Sequence, residues 1–117
     1  MKKETVKLTL FIVSIIIIIF LIFYLKPKGE IDEKTAECIA GKTNIYILKT
    51  CGHCAAQEEI LKDYSHLFNI IDCSQKENFP ECSAKQISNV PAWFINGEKY
   101  SSGRAVSLIE LKQATNC

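Results

Sequence analysis

Residues 8–25 read LTLFIVSIIIIIFLIFYL, a run of 18 residues without a charge. As a helix, at about 1.5 Å of rise per residue, such a run reaches nearly across the hydrocarbon core of a bilayer. A helix lying on a small water-soluble domain needs a polar face, and this one has none. A membrane span over 8–25 is therefore expected. A cleaved leader has a shorter apolar core ending in small residues; here the run ends Phe23-Tyr24-Leu25-Lys26-Pro27. Cys38 lies well beyond the run behind Glu37, which is unlike a lipoprotein cysteine. The expected element is an uncleaved anchor.

The span leaves little chain for a fold. Residues 26–42 are polar, carry Pro27, Gly29 and Gly41, and read as a linker with a short helical turn at 33–39. The folded unit is expected over 43–117, about 75 residues, small enough for covalent staples to matter. Net charge is +1, with no basic stripe, which gives no support to nucleic-acid binding. Lys2, Lys3 and Lys7 before the span nearly balance Lys26, Lys28 and Lys34 after it, so charge alone leaves the orientation open. Six cysteines in so short a chain fit an oxidising compartment. Residues 1–7 are accordingly placed in the cytoplasm and the C-terminal domain outside it, on a single-pass membrane protein.

Within the folded part, Asn44-Ile45-Tyr46-Ile47-Leu48-Lys49 has the apolar, β-branched character of a buried strand. Cys51-Gly52-His53-Cys54 follows, and then a helical stretch over 55–64 whose apolar face is expected to be Ala56, Ile60 and Tyr64, with Leu61 beside them. Residues 67–71 form a second strand, which makes a parallel β-α-β unit. Pro80 starts a short helix over 81–87. Ala92-Trp93-Phe94-Ile95 is a strand, Asn96-Gly97 a two-residue hairpin turn, and 98–100 the returning strand. Ser107-Leu108-Ile109-Glu110 is a capping box opening a last helix that runs to about Thr115. The fold class is α/β, in the order β-α-β-α-β-β-α.

CxxC at a strand-to-helix junction suits thiol–disulfide exchange. The thiolate is the reacting species, and the helix N-terminus favours negative charge at Cys51. Cys51 is the expected nucleophile and Cys54, one turn deeper, the resolving thiol. His53 adds a group able to stabilise the Cys51 thiolate. The competing use of CxxC is half of a zinc site. Zinc needs four ligands, commonly from two knuckles. Cys73 and Cys82 form no second tight knuckle, His53 sits between the two cysteines, and His66 reads as a surface residue. No metal and no bound cofactor are expected. Pro91 is either a strand boundary or a proline packed beside the dithiol.

Strand, CxxC, helix, strand, helix, proline, hairpin and helix in that order resemble the thioredoxin superfamily in its short, glutaredoxin-sized form, and CGHC resembles the tetrad of protein disulfide isomerases. Over residues 44–114 the chain also resembles the thioredoxin-like domain fused to bacterial vitamin K epoxide reductase homologues. That similarity rests on CGHC with Gln57 three residues on, Ile71-Asp72-Cys73-Ser74, Cys82 before Ile87, Val90-Pro91-Ala92-Trp93, Ile95-Asn96-Gly97-Glu98, Tyr100, Gly103 and the Leu108-to-Leu111 stretch. Three departures stand out. The fused enzyme carries a four-helix quinone-reducing membrane part, whereas one span is expected here. Ala92 occupies a position where that family commonly has Thr, and Ile45 stands six residues before Cys51, where many thioredoxins have a buried acid. Glu58 or water would then serve Cys54 as proton acceptor.

The resemblance implies a cis Pro91 that leaves the Val90 backbone free for a substrate chain. It also implies a disulfide between Cys73 and Cys82 that pins a loop, the rival being a second redox pair that relays electrons to Cys51. In such a topology Cys38 and Cys117 both lie at the sheet end away from the dithiol, where they form a second staple, stay free or join two chains. The implied activity is a membrane-anchored thiol–disulfide oxidoreductase acting on protein thiols and disulfides, with a separate membrane redox partner. Two alternatives stay open: a dedicated electron-relay partner of one membrane quinone reductase, and a non-catalytic interaction module of the same fold or a zinc-binding one.

Overall fold

The apolar run folds as one helix, α1 (Lys2–Tyr24), with every side chain exposed. It is long and apolar enough to cross a membrane. The structure, a computed structural model, describes residues 1–25 and 31–117. The second compact unit begins at Ile31 and runs to Cys117.

That unit starts earlier than the sequence suggests. Residues 26–30 of the expected linker lie outside the described residues. The rest of it is helix α2 (Glu33–Lys42), longer than the single turn anticipated at 33–39. Ile31, Ala36 and Ile39 are buried in the main core. The Ile31 carbonyl accepts a hydrogen bond from the Tyr64 hydroxyl at 2.6 Å, and Lys42 Nζ donates to the Thr115 carbonyl at 2.8 Å. The cause is tertiary: three apolar side chains are too few to announce a helix, and the helix forms because the domain supplies their partners.

Four strands build the sheet, β1 (Thr43–Ile47), β2 (Asn69–Asp72), β3 (Ala92–Ile95) and β4 (Glu98–Ser102), in the order β2-β1-β3-β4. β1 and β2 are parallel; β1–β3 and β3–β4 are antiparallel. Asn96 and Gly97 both take positive φ, as the two-residue hairpin requires. β1 and β3 are central and buried on both faces, so their side chains divide by alternation. Ile45, Ile47 and Trp93 face the larger cluster with Ile39, Leu61, Val106 and Leu111. Tyr46, Ala92 and Phe94 face a smaller cluster with Ile71 and Cys82.

The helices on these faces are α2, α3 (Gly52–Leu61), α4 (Phe79–Ala84) and α5 (Leu108–Thr115). α4 begins two residues earlier and ends three earlier than the helix expected over 81–87, with Pro80 in its first turn and a 3₁₀ turn at Lys76–Asn78 before it. The Tyr46 hydroxyl donates to Glu81 at 2.7 Å and so ties α4 to β1. α5 is capped as its sequence predicts, with Ser107 Oγ accepting from the Glu110 N–H at 3.1 Å.

Candidate active site

β1 ends at Ile47, and α3 starts at Gly52 with Cys51 as its N-cap. A side chain at this position meets N–H groups that have no partner inside the helix. The Cys54 N–H points at Cys51 Sγ, at 3.4 Å. β3 runs antiparallel to β1, so the start of β3 lies beside the end of β1. The Val90–Pro91 bond there is cis. The Cys51 thiol donates to the Val90 carbonyl at 3.5 Å. Cys51, Cys54 and the Val90-Pro91 segment are thus brought together from two parts of the chain.

The two thiols are free and inequivalent. Cys51 is partly exposed and Cys54 is buried. Hydrogen bonding with the Cys54 side chain, and then with the backbone N–H groups of Cys54 and His53, holds the Cys51 thiol below its ordinary range. Burial pushes Cys54 up to about 11, with the hydrogen bond to Cys51 and the charges of Cys51 and Glu58 adding to the rise. The outer sulfur is therefore the first of the pair to ionise. The His53 side chain is exposed, and it is the His53 backbone that reaches the Cys51 sulfur. Ile45, where a buried acid was noted as missing, is sealed in the apolar core.

The face that α3 buries matches the expectation at Leu61 and differs from it at Ala56 and Ile60. Cys54, Gln57 and Leu61 point inward, while Ala56 and Ile60 are exposed and Tyr64 falls in a 3₁₀ turn beyond the helix. The buried positions sit one residue away from the apolar series read from sequence, a turn of about 100° about the axis. A polar residue at the centre of the buried stripe hides it. Gln57 is tolerated there because both polar atoms of its amide have partners: Oε1 accepts from Trp93 Nε1 and from the Val106 N–H, and Nε2 donates to the Val106 carbonyl. The spacing Cys54, Gln57, Leu61 was itself the available signal.

Cys73 is bonded to Cys82 and Cys38 to Cys117. The first pair joins the residue after β2 to α4; the second joins α2 to Cys117, two residues beyond the end of α5. Beside the dithiol, Leu48, Phe79, Ile87, Val90 and the Cys73–Cys82 pair line an open groove of about 520 Å³. Phe79 is 66% exposed there. Among the described residues no group of three or more His, Cys, Asp or Glu side chains is placed to hold a metal ion.

A mixed four-stranded sheet with helices on its faces and a free dithiol at a strand-to-helix junction defines a class of protein compatible with thiol oxidoreductase chemistry. A profile for the thioredoxin domain (Thioredoxin_3) matches residues 42–116. The match covers well over half of the 117 residues, and the chain belongs to the thioredoxin-domain family. No curated protein matches it.

Proposed function

We propose that this protein is a membrane-anchored thiol–disulfide oxidoreductase that exchanges disulfides with protein substrates through Cys51 and Cys54. The observation that carries the reading is the contrast between the two sulfurs: Cys51 is accessible and lowered in pKa, Cys54 is buried and raised. In the reducing direction the Cys51 thiolate attacks one sulfur of a substrate disulfide. A mixed disulfide forms and one substrate thiolate leaves. Cys54 then loses its proton and attacks Cys51 Sγ; the Cys51–Cys54 disulfide closes, the second substrate thiol leaves, and two electrons have passed to the substrate. The oxidising direction is the same path reversed, and potential against the compartment sets which one runs.

Cys54 holds its proton firmly, so the second step needs an acceptor. Glu58, one turn further along α3 and felt by Cys54 as a charge, fits that role directly or through water. His53 would stabilise charge at the mouth of the site, and Pro91 would hold the Val90 backbone against an incoming chain. A thiolate cannot donate, so ionisation of Cys51 releases the Val90 carbonyl to accept from a substrate N–H. The groove along Leu48, Phe79, Ile87 and Val90 suits an apolar side chain next to the substrate cysteine. α1 is the proposed single-pass anchor after a short cytoplasmic N-terminus, with the domain held outside the cytoplasm. The vitamin K epoxide reductase likeness suggests a membrane quinone reductase as redox partner.

Insulin reduction and the oxidation of a reduced protein, run with the full chain in detergent, test the proposal. Both activities are expected to vanish in Cys51→Ser, and Cys54→Ser is expected to accumulate mixed disulfides with substrate. Activity that persists without Cys51 would refute it.

A further inference from the structure

Gln57 has no exposed surface, yet it is polar and sits one turn beyond Cys54 on the same buried face of α3. Its amide makes three long-range hydrogen bonds: Oε1 to Trp93 Nε1 at 2.9 Å, Oε1 to the Val106 N–H at 2.7 Å, and Nε2 to the Val106 carbonyl at 2.9 Å. The pair of bonds to Val106 is what a neighbouring strand would give that residue, supplied here by a side chain. Trp93 and Val106 are equally sealed from solvent. A leucine would fill much the same space and leave Trp93 Nε1 and both backbone groups of Val106 without partners.

These partners share one property. Trp93 stands two residues after Pro91 on β3, and Val106 precedes the Ser107 cap of α5. Gln57 therefore joins the helix that carries both thiols to the strand that begins at the Val90-Pro91 segment, and to the chain entering the last helix. The groups that act on the Cys51 sulfur from its own helix, the Cys54 side chain and the N–H groups of Cys54 and His53, do not pass through this joint. The Val90 carbonyl, on the other side of the sulfur, belongs to the strand segment the joint holds.

We propose that Gln57 is a positioning residue that sets the dithiol of α3 against the Val90-Pro91 segment, so that a protein chain joined to Cys51 meets the Val90 backbone in register. This rests on the oxidoreductase reading above. Among the described residues no hydrogen bond joins Gln57 to Cys51 or Cys54; its partners are Trp93 and Val106. Its loss leaves the sulfur chemistry of α3 in place and loosens the docking of extended substrates, where a misplacement of about 1 Å is worth up to about a hundredfold in rate.

The test compares two substrates on the full chain in detergent: insulin, which must dock, and a small aromatic disulfide, which need only reach Cys51. In Gln57→Leu the ratio of the two rate constants, protein over small disulfide, is expected to fall about tenfold. Trp93→Phe removes one of the three bonds and should lower the ratio less. The double variant should fall no further than Gln57→Leu alone, because both changes break the same joint. If Gln57→Leu does not fold, Trp93→Phe carries the test by itself. An unchanged ratio, an equal loss on both substrates, or additive losses in the double variant would overturn the positioning role. Failure of the unaltered chain to react with the small disulfide would instead overturn the oxidoreductase reading on which it rests.

Discussion

The Cys51 sulfur lies 3.5 Å from the carbonyl oxygen of Val90, a residue 39 positions further along the chain. Two structural facts produce this meeting. Cys51 caps α3 directly beyond the end of β1, and β3 runs back antiparallel beside β1. The contact places an outer sulfur, whose negative charge its own helix favours, next to a backbone segment at the edge of an open groove.

The two thiols are expected to titrate far apart. Alkylation of Cys51 should rise through a step below the ordinary thiol range, with Cys54 protected until pH nears about 11. Mass mapping after iodoacetamide labelling at a series of pH values checks this. A pKa raised from 9.0 to about 11 gives the reduced fold a contribution that is complete below pH 9 and lost as pH climbs through 11. The Cys51 shift has the opposite sign; Cys51→Ser removes it together with the part of the Cys54 rise that comes from Cys51, and leaves the larger part, which comes from burial. The denaturation midpoint of Cys51→Ser should fall across that alkaline window.

Removing the two disulfides should have unequal effects. Cys38–Cys117 spans 79 residues and Cys73–Cys82 spans 9. By loop-closure entropy, the Cys38→Ser/Cys117→Ser pair is expected to lose about 4.5 kcal/mol of stability and the Cys73→Ser/Cys82→Ser pair about 2.5 kcal/mol. Denaturant titration measures both. Turnover retained in Cys73→Ser/Cys82→Ser would favour the structural role of that bond; turnover lost with little change in stability would favour an electron relay.

Phe79 offers a test of the groove. It is largely exposed at the start of α4, so Phe79→Ala should change stability by no more than about 0.5 kcal/mol. If apolar substrate side chains use the groove, KM for protein substrates should rise severalfold while the rate with a small disulfide stays the same. Steady-state kinetics on the two substrate types decides it.

The cap of α5 gives a prediction independent of function. Ser107→Ala removes the acceptor for the Glu110 N–H and should cost about 1 kcal/mol. The Glu110 carboxylate is held by Arg104 and Tyr100, which leaves the reciprocal half of a capping box little part in the helix start. Ser107→Asp should restore most of the loss, as thermal melts would show.

Elements with local signals were legible in the chain. The strand before CGHC, the Asn96-Gly97 turn and the Ser107 cap each depend on a few adjacent residues, and the structure has all three. Cys51 and Cys54 stood out by the spacing of two thiols, whereas the cis form of the Val90–Pro91 bond came only from the family resemblance, because residue type leaves the isomer open. Elements that depend on distant partners were not legible. α2 exists because Ile31, Ala36 and Ile39 find a core and Cys38 finds Cys117. The buried face of α3 was misplaced by one residue because Gln57, polar in sequence, becomes core-compatible only when Trp93 and Val106 engage it. Nothing near position 57 announces partners 36 and 49 residues away.

The most direct measurement is a redox titration of the full chain in detergent, equilibrated against defined ratios of reduced and oxidised glutathione, acid-quenched, alkylated and mapped by mass. The account predicts one two-electron transition, confined to Cys51 and Cys54, while Cys38–Cys117 and Cys73–Cys82 stay bonded. A Cys51–Cys54 pair that stays in one state across the whole range, or a transition located at another pair, would contradict it.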